Sequence, residues 1–242
     1  MTPDRSESVR DFYRKQDHAR SYDQIRFGNA GGRIVDTWEK KILTGMLAAH
    51  PKDEPILEVA AGTGRFSLML ARMGYKVVAV DSSMEMLRLI QNAAEDEGLD
   101  IICLQADAFN MPFPDNAFLT VYSMRFVWHF KEYAAIIKEF SRIAKNEIVF
   151  DHMNLFSIGF ITAKVANYFV YRKLHTELAT GKEISRCAEY SGMRVVEQRT
   201  AFLFPYIFYR KLPFLAKALH WIDKTVLRIL PAGSVMYFRL NP

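Results

Sequence analysis

Cysteine is scarce in this sequence: only Cys103 and Cys187 stand among 242 residues. Two thiols so far apart exclude the dense staples of a small secreted scaffold, and they match no metal-ligand spacing. Each reads as a buried thiol in a reducing compartment. Long apolar runs are missing too. The best candidate for the roughly 18 residues of a spanning helix, 202–221, is broken by Pro205, Arg210, Lys211, Pro213 and Lys217. The first ten residues are polar and charged, unlike a secretory signal. The expected location is therefore cytoplasmic, at most peripheral to a membrane. No repeat or low-complexity linker divides the chain, so one domain is expected.

What is present is an alternation. Short apolar runs at 55–60, 76–80, 101–105, 118–124 and 147–151 read as buried strands. Between them, 65–73, 84–97 and 133–143 carry helical spacing, with Ser82, Ser83 and Gly98 as cap and stop signals. Such alternation implies βαβ units on a mostly parallel sheet. Right-handed crossovers then place the loops after the strands along one edge, where ligands bind. Upstream, 5–49 reads as helical, interrupted over 22–33 by Gly28, Gly31 and Gly32. Downstream, 158–178 and 182–191 read as helices, 194–202 as a strand, 212–230 as a basic amphipathic stretch and 234–240 as a last strand.

The strongest local signal is Glu58-Val-Ala-Ala-Gly62-Thr-Gly64, a strand running into a glycine turn and a helix. Glycine turns the chain tightly and lets a ligand approach the backbone, and donors at the following helix N-terminus can hold an anion. A dinucleotide fingerprint would place a third glycine where Ser67 stands. Glu58 sits where a carboxylate can reach the amino group of a bound amino-acid moiety. Asp81, ending the second strand, suits ribose hydroxyls. Asp107, after the third strand, suits an adenine amino group.

With those residues in order, the sequence resembles the class I S-adenosylmethionine-dependent methyltransferases. Asp107-Ala-Phe-Asn-Met-Pro112-Phe-Pro114-Asp115 and Val127-Trp-His129-Phe are similar to the ubiquinone/menaquinone-biosynthesis-like branch, with its small-molecule enzymes. Two features depart from that branch: Phe118-Leu119 before the fourth strand, and a turn at 144–146 without paired glycines. The resemblance implies a Rossmann-like α/β fold with a seven-stranded, mostly parallel sheet in the order 3-2-1-4-5-7-6, its last strand antiparallel. The implied cofactor is S-adenosylmethionine, leaving as S-adenosylhomocysteine. Its implied contacts are Glu58, Ala60, Gly62, Gly64, Asp81, Ser82, Met86, Asp107, Ala108 and Met124, with Tyr22 and Arg26 from the N-terminal segment. The domain divides into a helical lid (1–50), a cofactor-binding core (51–152), substrate-side helices and a strand (153–232) and the last strand (233–242).

Methyl transfer from a sulfonium asks mainly for alignment, with a base where the acceptor must lose a proton. His129 is the candidate base, with His152 behind it. Arg125 reads as a partner for an acidic substrate group or for a neighbouring aspartate. The aromatic residues of 153–232, among them Phe156, Phe202, Phe204 and Tyr206, suit a small apolar or aromatic acceptor. Lys211, Lys217, Lys224 and Arg228 accompany Leu215, Leu219, Trp221 and Ile222. That pattern fits either a solvated packed helix or contact with an anionic membrane.

The net charge of +5 selects no partner, and dispersed basic residues make nucleic acid an unlikely one. An RNA or protein methyltransferase, a nicotinamide-dependent oxidoreductase and an inactive cofactor-binding protein remain alternatives.

Overall fold

The computed structural model describes residues 23–157, 176–227 and 232–242. One sheet forms its centre. β1 (Pro55–Val59), β2 (Lys76–Asp81), β3 (Ile101–Gln105), β4 (Phe118–Ser123) and β5 (Ala144–Asn154) run parallel. A two-residue β6 (Leu178–Ala179) pairs with the end of β5, and β7 (Arg194–Ala201) and β8 (Val235–Asn241) follow. The order is β3-β2-β1-β4-β5-β8-β7, with β8 antiparallel to both neighbours. Apart from the short β6, this is the expected topology with its reversed last strand.

The inner strands β1, β2 and β4 are largely apolar because both faces of the sheet are covered, whereas β3 and β7 at its edges are half exposed. Leu57, Val121, Ile148 and Phe150 point to one side, under α4 (Tyr133–Ile143) and α5 (Gly181–Tyr190). Ile56, Val77, Tyr122 and Val149 point to the other. There α1 (Ala30–Met46), α2 (Arg65–Arg72) and α6 (Tyr206–Lys211) contribute Leu43, Leu70 and Tyr209. Between β2 and β3, α3 (Met84–Glu97) is capped by Ser83 and closed by Gly98 in the left-handed conformation, as expected. The remaining helix is α7 (Ala216–Val226).

Several boundaries differ from expectation. The interruption read over 22–33 narrows to Gly28 and Asn29: residues 23–27 are helical, and α1 begins at Ala30 under the Asn29 cap, with Gly31 and Gly32 inside it. Gly31 instead permits contact, since a Cβ there would lie 1.8 Å from the Tyr209 carbonyl oxygen. No turn exists at 144–146. Ala144 is extended and leads directly from α4 into β5, so paired glycines have no place there. The basic stretch is helical only from Ala216, because Pro213 sits in a turn at 213–215. The helices read into 5–22 and 158–175, and the end of the basic stretch at 228–230, lie outside the described residues.

The topology gathers three ends at one edge. Met153 of β5 pairs with Val235 of β8, which pairs with Ala201 of β7. The connections following β5 and β7 therefore leave the sheet at the edge where β1, β2 and β4 end.

Replacing Gly31 with Ala adds helix propensity of up to about 1 kcal/mol, but it drives a methyl into a main-chain carbonyl. Overpacking of that kind costs about 1–3 kcal/mol. The urea midpoint of Gly31→Ala should fall; an equal or higher midpoint would show that α6 does not press on α1.

Candidate functional site

A cleft opens at the C-terminal ends of β1, β2 and β4. Glu58, Ala60, Gly62, Asp81, Ser82, Met86, Asp107, Ala108, Met124 and His129 all line it. Arg26 and Gly64 do not line it, and Tyr22 lies outside the described residues.

The two glycines of the turn divide their work. Gly62 has φ +57° and nothing within 4 Å of where a Cβ would stand, so its face of the backbone is open to a ligand. Gly64 has φ +78°, and a Cβ there would meet Ile90 Cγ1 at 2.6 Å, so it lets α2 close on α3. Ala60 also adopts a left-handed conformation, φ 59°. Gly62 and Gly64 take this conformation freely, so the strain that collects at ligand clamps falls on Ala60.

Asp81 ties this turn to the next one. Its Oδ2 accepts the Gly62 N–H at 2.8 Å and its Oδ1 the Ser83 N–H at 2.9 Å. Burial raises its pKa, and these N–H groups offset part of the rise. Each oxygen keeps acceptor capacity for a hydroxyl. Asp107 is exposed and folds back on the Phe109 N–H at 3.1 Å.

Glu58 is 2% exposed and its Oε2 accepts from the Ser67 hydroxyl and, at 2.9 Å, from Tyr122. Burial pushes its pKa up to about 7 despite these bonds. The residue that breaks the dinucleotide fingerprint thus has a use of its own. Ser67 holds the strand carboxyl, which a glycine cannot do.

Five phenylalanines give the cleft an aromatic lining. Phe109, Phe126 and Phe130 pack together, with ring centroids 5.3 Å apart for Phe109–Phe130 and 4.9 Å for Phe126–Phe130, and Phe27 and Phe66 join from the core on the other face of the sheet. His129 lies in a 3-10 turn (Val127–His129), partly exposed, its ring 3.9 Å from that of Trp128. His152 is elsewhere. It lies fully buried beside Tyr133, outside the cleft lining, and burial pulls its pKa down to about 4.

Behind the aromatic wall lies a buried charge network that sequence reasoning missed. Glu39 of α1 is wholly buried and bridges Arg125 Nη1 at 3.0 Å and Arg65 Nη2 at 2.7 Å. Burial pushes Glu39 up, but the charges of Arg125 and Arg65 outweigh it and hold its pKa below the ordinary value. Arg65 also meets Asp36 at 2.6 Å, and its guanidinium lies 4.2 Å from the Phe27 ring. Arg125 has φ 61°, with its own N–H donated to Asp151 Oδ1 at 2.6 Å. The neighbouring aspartate is thus reached through the main chain, while the guanidinium pairs within the fold. Burial and the nearby Glu39 charge push the Asp151 carboxyl up to about 7.

Native Asp151 therefore keeps its proton up to about pH 7, whereas the unfolded chain releases it near 3.8. Its contribution to stability is full below about pH 4 and is lost as pH rises through 7. With Asp151→Asn, the unfolding free energy should decline less between about pH 5 and about pH 8 than in the parent chain. Parallel profiles from urea melts at the two pH values would refute this.

Comparisons with known proteins agree with the geometry. Residues 57–150 match a family model described as a methyltransferase domain. A demethylmenaquinone methyltransferase of Thermus thermophilus is 35% identical over 108 residues, covering 44% of this chain and 48% of that one. An uncharacterized methyltransferase of Bacillus subtilis, YodH, is 34% identical over 119 residues, covering 49% of this chain and 50% of that one. The chain thus spans about half the length of the curated relatives it matches. The crystal structure of magnesium protoporphyrin IX methyltransferase from Synechocystis with bound SAH has a TM-score of 0.73 at 13% identity, covering 98% of this chain and 99% of that one. At that identity the likeness concerns the fold alone. Residues 57–150 are thus similar to a methyltransferase domain, and the fold is shared with the Synechocystis methyltransferase structure.

Proposed function

We propose that the protein transfers a methyl group from S-adenosylmethionine to a small, apolar or aromatic acceptor. One arrangement carries this reading: an open glycine turn, tied by Asp81, borders a cleft that five phenylalanines also line. The residues fit the cofactor in three places. The absent Cβ of Gly62 leaves room against the backbone, and Asp81 keeps acceptor capacity for ribose hydroxyls. Glu58 stands near its neutral–charged balance, so a cationic amino group beside it would favour the charged form. Ala60, Ser82 and Asp107 add contacts along the same edge, with Met86, Ala108 and Met124 as apolar ones. Gly64 acts through the packing of α2, and Tyr22 and Arg26 belong to the lid.

When bound, the cofactor supplies an activated methyl group and its own leaving group. The chain's part is to hold the acceptor in line, which the aromatic wall does by shape, and to keep water away. Phe27, held over Arg65, connects the lid segment (1–50) to that wall. The remaining division, with a core over 51–152, acceptor-side elements over 153–232 and a last strand over 233–242, belongs to the same reading. His129 accepts the acceptor's proton where a hydroxyl or an acidic carbon is methylated. The 35%-identical relative, a demethylmenaquinone methyltransferase, supports a small-molecule acceptor. Among the described residues no helix is long and apolar enough to cross a membrane. The acceptor is met in solution or at a lipid surface.

Calorimetry with S-adenosylmethionine, and separately with NADH, tests the core of this reading. The parent chain should bind the methyl donor in the micromolar range, and Gly62→Arg, which fills the open face, should abolish binding. Saturable binding of NADH without the methyl donor would move the protein to redox chemistry. Once an acceptor is found, His129→Asn should lower kcat by about 10²-fold or more, the usual share of a general base, while the donor affinity stays unchanged. An unaltered kcat would remove His129 from the chemistry.

A further inference from the structure

The basic amphipathic stretch singled out in the sequence is turned inside out relative to an ordinary surface helix. Its packed side is Ala216, Leu219 and Asp223, set against α1 and α6. Asp223 is wholly buried and accepts from Tyr209 and from the Leu203 N–H. Its open side holds the large apolar groups. Phe214 is 77% exposed, Trp221 69%, Leu215 42% and Ile222 36%. Trp221 and Ile222 stand on the helix itself, and Phe214 and Leu215 in the turn directly before it. Lys211, Lys217 and Lys224 are exposed beside them. From 206 to 227 the one acidic residue is the buried Asp223.

We infer that this face docks on an anionic lipid surface, with Phe214 and Trp221 inserted and the three lysines on the headgroups. Aromatic side chains with an apolar body and flanking lysines are the chemistry that lies at a bilayer interface. The charge pattern also chooses among occupants. A second copy would bring like charges together, and an acid-free cationic apolar face complements anionic headgroups instead.

The face is joined to the cleft by short links. It belongs to the connection from β7 to β8, which leaves the sheet at the cleft's edge. Trp38 of α1 lies edge-on to His220 of α7 at 4.4 Å, and Asn29 donates to the Arg210 carbonyl at 2.8 Å. Phe27, two residues before Asn29, is part of the aromatic wall. That docking hands a lipophilic acceptor to the cleft rests on the methyl-transfer reading; the docking itself does not.

The test uses the full chain with vesicles of phosphatidylcholine alone, and of phosphatidylcholine and phosphatidylglycerol in equal parts, by sedimentation and tryptophan fluorescence. The mixed vesicles should capture the protein at least about tenfold more strongly than the neutral ones, and high salt should release it. Of the three tryptophans, Trp128 is buried and Trp38 half-buried, so a blue shift on capture reports Trp221. The pair Phe214→Ser with Trp221→Ser, and separately Lys217→Glu with Lys224→Glu, should each weaken capture at least about tenfold. All four side chains are exposed, and an unchanged melting temperature will show that the fold persists. Absence of capture, or capture that neither pair alters, overturns the inference. A concentration-dependent dimer dispersed by Trp221→Ser, with no capture, would assign the face to a second copy. Calorimetry with S-adenosylmethionine runs beside these assays. Capture without donor binding keeps the docking face and removes the methyl-transfer reading; donor binding without capture does the reverse.

Discussion

A carboxylate with no access to water, Glu39, holds two arginines from different parts of the chain, and the ligand side of the protein is arranged around it. Arg65 opens α2 directly after the glycine turn; Arg125 follows β4 in a left-handed conformation. Burying three charges is costly, and the cost is offset only while all the partners stay in place. Removing one partner of such a group typically costs about 3–5 kcal/mol. The ion pairs therefore specify where α1 must sit more than they add to stability. Phe27 is set by the same network, between the two guanidiniums at 4.2 and 5.5 Å. The glycine-turn helix, the Phe27 ring and α1 thus share one electrostatic anchor.

Three carboxyls around the cleft have been sorted by their surroundings. Glu39 faces two guanidiniums and stays charged. Burial lifts Glu58 and Asp151 to about 7: the hydroxyls on Glu58 and the more distant Arg65 charge offset only part of it, and Asp151 has another carboxylate nearby and a main-chain N–H as its hydrogen-bond donor. Burial is common to all; what differs is whether a full positive charge or a neutral dipole answers it. At neutral pH the site can therefore adapt its own charge to an incoming group, in the Glu58 half at least, without moving the backbone.

The part of the site legible in the sequence is the part made locally. Gly62, Asp81 and Asp107 each sit at a strand end, and turn chemistry within a few residues states their role. Strand order followed from the alternation and the resemblance. The Glu39 network was invisible because its bonds join residues 26 and 86 positions apart. Neither α1 nor the glycine-turn helix shows a pattern that announces a partner. Ser67 was legible as the loss of a glycine, but its bond to Glu58 needs the strand and helix side by side. Gly31 and Gly32 were misread for a related reason. A glycine that permits flexing and one that permits contact look alike until the neighbour, here the Tyr209 carbonyl, is known. For Arg125 the sequence left an acidic substrate group and a neighbouring aspartate open; the fold gives its N–H to Asp151 and its guanidinium to Glu39.

The connection between β7 and β8 begins and ends at paired residues, Ala201 opposite Val235, and the Ser234 hydroxyl and N–H both return to the Phe202 carbonyl. Its two ends are thus fastened together independently of whatever lies between them. A segment anchored in this way behaves as a module: it can be lengthened, shortened or exchanged with little change in the entropy of closing the loop. The end of the cleft built on β1 and β2 has no such freedom, since Asp81 ties its two turns together. Evolution acting on such a chain can therefore vary what the β7–β8 connection meets while the glycine turn and its carboxylate stay as they are.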